Sequence, residues 1–114
     1  MIVLPEIRAT ERNEHGVRLE LRVAADLVYF DGHFREVSLL PGVVQIAWAI
    51  ELARKYIPAI GVFKSLSAVK FTRVIQPEST VWLSLEYTHA KGQLDFSYEL
   101  EGRHCSNGSV LFDA

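Results

Sequence analysis

The sequence predicts an α+β fold in which a sheet wraps around one buried helix. Three observations carry this. Only one segment, Val43 to Tyr56, has the length and almost unbroken apolar character of a buried helix. Its charged residues, Glu51, Arg54 and Lys55, fall on one narrow stripe at 100° per residue. Nearly every other patterned segment alternates apolar and polar residues with a period of two.

The elements follow in chain order. Ile7 to Arg12 and Val17 to Val23 are alternating runs, and Asn13-Glu14-His15-Gly16 between them predicts a hairpin turn. Ala24 to Leu40 is irregular and contains Asp31-Gly32; a connection of that length is often functional. Pro41-Gly42 opens the helix, where a proline costs little because its missing N–H has no helical partner. Pro58 ends it. Strands are then expected over Phe63 to Val74, Thr80 to His89, Gln93 to Glu101 and Arg103 to Phe112, with Ala90-Lys91-Gly92 as a turn. In Thr80 to His89, Val81, Leu83 and Leu85 oppose Trp82, Ser84 and Glu86. Asn107-Gly108 resembles a hairpin signal, but too little chain follows to form a partner strand, so a bulge in the last strand is expected there.

Composition narrows the function. The 114 residues suit a single domain, 1–114, and the 49% hydrophobic content excludes a disordered chain. Twelve basic and fourteen acidic residues give a net charge of -2, which argues against nucleic acid as a partner. The single cysteine, Cys105, cannot form an intrachain disulfide and points to a reducing compartment. Met1 to Glu6 lacks the pattern of a signal peptide, and Gly42 to Ala53 is too short to span a bilayer. A soluble cytoplasmic protein with no membrane association is expected.

Chemistry is sparse. No histidine pair has helical spacing and no Cys/His cluster exists, so no metal site is expected. No nucleophile elbow appears. His15, His89 and His104 read as solvated or structural. His33 stands apart, inside Phe30-Asp31-Gly32-His33-Phe34 and eight residues before Pro41. One reading is a loop histidine satisfied by backbone bonds. The other places a base beside a helix N-terminus, whose unpaired N–H groups and positive dipole end face whatever binds there. Such a pair removes a proton next to a carbonyl while stabilising the enolate oxygen.

Gly32-His33-Phe34, Leu40-Pro41-Gly42-Val43 and the apolar helix together resemble the β-hydroxyacyl-acyl-carrier-protein dehydratases of fatty-acid synthesis. Val69-Lys70-Phe71-Thr72-Arg73 with Pro77, and the final hairpin at Gly102, extend the resemblance over nearly the whole chain. The wording Leu39-Leu40-Pro41-Gly42-Val43-Val44-Gln45-Ile46 is similar to the branch found in aryl-polyene clusters. The resemblance implies the hot-dog fold, a curved antiparallel sheet around one long helix, and active sites shared between two subunits. It implies that His33 abstracts the C2 proton of a 3-hydroxyacyl thioester and that the Gly42 N–H polarises the thioester carbonyl. It implies substrate contacts from Phe34, Pro41 and Val43, no metal and no organic cofactor.

The chain departs from the family at the second catalytic group. The family has Asp or Glu fourteen residues after the histidine, donated by the partner subunit; here that position is Ala47. One general acid is commonly worth 10²–10⁴-fold in rate. One turn further, Glu51 stands where the family usually has Gln, and it either replaces the acid or ends the polar stripe. The loop prolines of the family are replaced by Arg35 and Ser38. Arg35 is a surface cation or a phosphopantetheine-phosphate contact. Trp48 and Trp82 line an acyl tunnel or pack in the core or dimer interface. Arg54, Lys55, Lys70 and Arg73 are either a carrier-protein patch or a solvated face.

The expected protein is a dehydratase-like hot-dog dimer or higher oligomer acting on an acyl group borne by acyl carrier protein or another phosphopantetheine thioester. His33, Gly42 and Glu51 would be catalytic, and Trp48 would touch substrate. One alternative is a degenerate carrier-binding subunit, or one that pairs with a complete dehydratase in a heterodimer. Another is a hot-dog thioesterase.

Overall fold

The computed structural model describes residues 3–27 and 39–113 of the chain. Its strands are β1 (Glu6–Arg12), β2 (Gly16–Arg22), β3 (Val62–Phe71), β4 (Thr80–Thr88), β5 (Gln93–Leu100) and β6 (Arg103–Asp113). The helix α1 spans Gly42–Tyr56. The strands form one six-stranded antiparallel sheet in the order β1-β2-β4-β5-β6-β3. One helix against one such sheet is the hot-dog architecture.

Side-chain alternation sets which face meets the helix. Val17, Leu19 and Leu21 of β2, Val81, Leu83 and Leu85 of β4, Leu94, Phe96 and Tyr98 of β5, and Val110 and Phe112 of β6 are buried. They join Val44, Trp48, Ala49, Leu52 and Ala53 of α1 in a single core. The opposite sheet face carries Arg18, Glu20, Trp82, Ser84, Asp95 and Ser97. Trp82 lies there, beneath the Arg18 guanidinium at 4.3 Å from its ring centre, and so packs neither in the core nor along the helix.

Turn chemistry closes the hairpins. Asn13 Oδ1 accepts from the N–H groups of His15 and Gly16, both at 2.9 Å. His89–Lys91 form a short 3₁₀ turn that ends at Gly92, whose φ of 60° suits a residue without a side chain. The N-terminal segment crosses the helix, where Trp48 Nε1 donates to the Val3 carbonyl at 2.8 Å.

Two expectations need correction. The last strand does bulge, but at Cys105, where Tyr98 pairs with Ser106 and Glu99 with His104. Asn107 and Gly108 pair regularly with β5, and the irregularity opposite them lies in β3 between Ser67 and Lys70, where Ala68 has φ 53°. A Cβ on Gly108 would meet Val69 and Phe96 at 2.8 and 3.0 Å, so the glycine admits the bulged strand's side chain. The helix, moreover, is not buried on most sides within the chain. Val43 is 75% exposed, and Ile46, Ala47 and Ile50 are only half-buried.

Gly16 is required by close approach: a Cβ there would collide with the Leu85 carbonyl of the paired strand. Gly16→Ala is expected to lose about 1–3 kcal/mol through overpacking, measured by urea unfolding. Burial raises the Tyr98 hydroxyl pKa well above its ordinary value. The sign follows from linkage. The folded state holds a proton that the unfolded state releases above pH ~10, so stability is constant below that and falls above it. The expected slope is about 1.4 kcal/mol per pH unit, and Tyr98→Phe should flatten that alkaline limb in denaturation curves.

Candidate active site

The N-terminus of α1 is the chemically distinctive point of the fold. Pro41 is its cap residue, with φ -59° and ψ 146°. The Pro41 carbonyl accepts from the N–H groups of Val44 at 3.0 Å and Gln45 at 3.1 Å. The N–H groups of Gly42 and Val43 therefore have no partner in the helical ladder. No acidic residue occupies the first turn, so nothing there offsets the positive end of the helix dipole. At the other end, Arg54 and Lys55 complement the negative pole.

A groove of about 430 Å³ opens over this terminus, with Gly42, Val43, Ile46, Phe71, Val74 and Arg73 among its walls. The Phe71 ring lies against Gly42: a Cβ on residue 42 would come within 2.6 Å of it. The glycine thus lets an aromatic wall close on the helix end. The surroundings are mainly apolar, with a cationic side chain, Arg73, at the rim. An anionic oxygen placed at the Gly42 and Val43 amides would meet two donors in a partly dry setting.

At the floor of the groove, which Gln45 also lines, lies a polar knot that sequence reading missed. Gln45 is buried, although it appears in the sequence only as a polar break in an apolar run. Its Nε2 donates to the Leu40 carbonyl at 3.1 Å, and its Oε1 accepts from the Ser106 hydroxyl at 2.6 Å. The Tyr98 hydroxyl donates to the Gln45 carbonyl at 2.7 Å. The single available signal was an amide sitting on the apolar side of the helix, away from the stripe of Glu51, Arg54 and Lys55.

The expected site residues separate as follows. Gly42, Pro41 and Val43 converge at the helix end. His33 and Phe34, with Arg35 and Ser38, lie outside the described residues. Trp48 is fully buried in the core, and its Nε1 donates to the Val3 carbonyl. Ala47 and Glu51 lie on the uncovered side of α1, Ala47 half-buried and Glu51 exposed. Glu51 is nine residues beyond Gly42, about 14 Å along the axis. It is not among the residues that line this groove. Among the described residues no group of three or more His, Cys, Asp or Glu side chains is placed to hold a metal, and no helix is long and apolar enough to cross a membrane.

The chain is similar in sequence and fold to known proteins. A 3-hydroxyacyl-[acyl-carrier-protein] dehydratase FabZ of Natranaerobius thermophilus is 32% identical over 87 residues, covering 70% of this chain and 61% of that protein. The chain therefore spans less than two-thirds of that relative's length. Among solved structures, the dehydratase heterocomplex ApeI:P from Xenorhabdus doucetiae contains a chain that superposes with a TM-score of 0.87 at 31% identity, covering 94% of this chain and 96% of that one. An uncharacterized protein from Erwinia carotovora subsp. atroseptica gives a TM-score of 0.85 at 33% identity, covering 96% and 95%. Residues 9–109 match the ApeI-like family, described as ApeI dehydratase. With a match spanning nearly all of the sheet and the whole helix, this chain belongs to the ApeI-like dehydratase family.

Proposed function

We propose that this chain dehydrates a 3-hydroxyacyl thioester carried on phosphopantetheine, acyl carrier protein being the preferred carrier. The observation that carries the reading is the pair of N–H groups at Gly42 and Val43, which have no partner among the described residues and border an apolar groove, in a chain of a dehydratase family. His33 takes a proton from C2. The thioester oxygen gathers the resulting charge and is held by the Gly42 N–H. The C3 hydroxyl then leaves as water after protonation by an acid, giving a trans-2-enoyl thioester. No metal or redox group takes part in this sequence.

The acid comes from a second subunit. The uncovered face of α1 and the edge strand β3 expose Val43, Val62, Phe63, Leu66 and Phe71, an apolar surface suited to another hot-dog subunit. In a homodimer the neighbouring copy offers Glu51. In a heterodimer a different subunit with an intact acid faces this chain's His33, while Ala47 leaves the reciprocal site empty. The likeness to a chain of a dehydratase heterocomplex, together with Ala47, favours the heterodimer.

The test uses a 3-hydroxyacyl thioester on a carrier protein, with water loss followed by mass spectrometry. The chain is assayed alone and mixed with a hot-dog dehydratase subunit that retains its helical acid. His33→Ala is expected to lower turnover by about 10²–10⁴-fold in any active mixture. Glu51→Gln should abolish turnover by the chain alone if Glu51 is the acid, and leave the mixture active if the second subunit supplies it. Full activity of His33→Ala, or no enoyl product under either condition, would overturn the reading. Free thiol in place of enoyl product would identify a thioesterase.

A further inference from the structure

An amide has no packing reason to be where Gln45 is. At 3% exposure it sits in the core, and the other buried polar side chain among the described residues is Ser106, its own partner. An apolar side chain of equal length would fill that space without needing partners, whereas a buried amide is tolerated only when its hydrogen bonds are made. Both ends of this amide are bonded, and one bond reaches the segment that leads into the helix.

That segment is short and almost fully determined. The Leu40 N–H donates to the Ile75 carbonyl at 2.7 Å, and the Leu40 carbonyl accepts from Gln45 Nε2. The peptide entering Pro41 is thus held on both sides of Leu40. The proline ring fixes the next φ, observed at -59°. The Pro41 carbonyl, which shares a peptide plane with the Gly42 N–H, is held by Val44 and Gln45. One torsion, ψ of Pro41, remains between two restrained planes. Gln45 contributes to both restraints, through its side chain on Leu40 and its backbone N–H on Pro41.

We propose that Gln45 is a positioning residue: anchored on Ser106, its side-chain amide holds the Leu40 carbonyl and so aims the Gly42 N–H into the groove. This rests on the reading of Gly42 as the donor to the thioester oxygen. A donor misdirected by a fraction of an ångström still permits binding through the apolar walls, but it no longer tracks the charge that develops in the transition state. The cost therefore belongs to kcat.

Gln45→Met preserves volume and removes both side-chain bonds. It is expected to lower kcat by roughly 10- to 100-fold with KM changed less than about twofold. Ser106→Ala, the milder variant, should move kcat in the same direction, and the double variant should be no worse than Gln45→Met, because both cut one chain of bonds. Leu52→Ala is the control: a core truncation that lowers stability at least as much yet keeps kcat. Unchanged kcat in Gln45→Met, or an equal loss of kcat in Leu52→Ala, would overturn the positioning role. The Gly42 amide is followed in parallel by its ¹⁵N shift and hydrogen exchange, both expected to change in Gln45→Met and Ser106→Ala. If the parent shows no turnover in any mixture, only the dehydratase reading fails; an unmoved Gly42 amide in both variants then overturns the positioning role on its own.

Discussion

A helix that is apolar around most of its circumference cannot be satisfied by a sheet on one side. The sheet covers Val44, Trp48, Ala49, Leu52 and Ala53 of α1, and this contact makes the core. Val43, Ile46, Ala47 and Ile50 remain at least partly open to solvent. Much else in the molecule depends on that imbalance. It points the helix N-terminus toward an apolar groove, and it leaves an apolar face beside an edge strand with no neighbour on its outer side. Apolar surface left in water at such a scale marks an association site.

The same imbalance explains why position 47 matters more than its size suggests. On the sheet-facing side of the helix, a small residue would be a packing detail. On the open side it is a missing side chain in the surface that a second subunit would meet. Glu51, one turn further, is exposed and stands about 14 Å along the axis from Gly42. A carboxylate there does not line its own chain's groove, and under the proposed function the chemistry is completed between chains. Under that reading the chain on its own holds the donor end of the site.

The fold was legible because its two periodicities are clean. β2, β4 and β5 alternate without interruption, and the polar stripe of α1 is narrow, so strand and helix limits were readable to within a few residues. The Asn107-Gly108 signal misled, because a bulge is a property of a strand pair: the extra residue sits in β3, at Ala68, while Gly108 makes room for Val69. Trp48 left two readings open for a different reason. Helical phase relative to the sheet decides whether a large aromatic residue faces core or groove, and that phase depends on contacts with β-strands far away in sequence. The start of α1 at Gly42 was legible from the Pro41-Gly42 pair. The polar knot was not, since Ser106 and Tyr98 are more than fifty residues from Gln45 and nothing local in their segments indicates a buried partner.

Buried hydrogen bonds of this kind add little net stability when complete, because the same groups would otherwise bond to water. Their value lies in geometry. A core filled only with apolar side chains would leave the turn into α1 free to settle by van der Waals contact, which is tolerant of small shifts. The amide of Gln45, the hydroxyl of Ser106 and the hydroxyl of Tyr98 remove that tolerance by tying the turn to β5 and β6, two of the inner strands of the sheet. The N-terminal turn of α1 is thereby bonded into the interior of the fold. Under the proposed function, the acid can then be supplied by a different chain, because the groove that receives it is held in place without it.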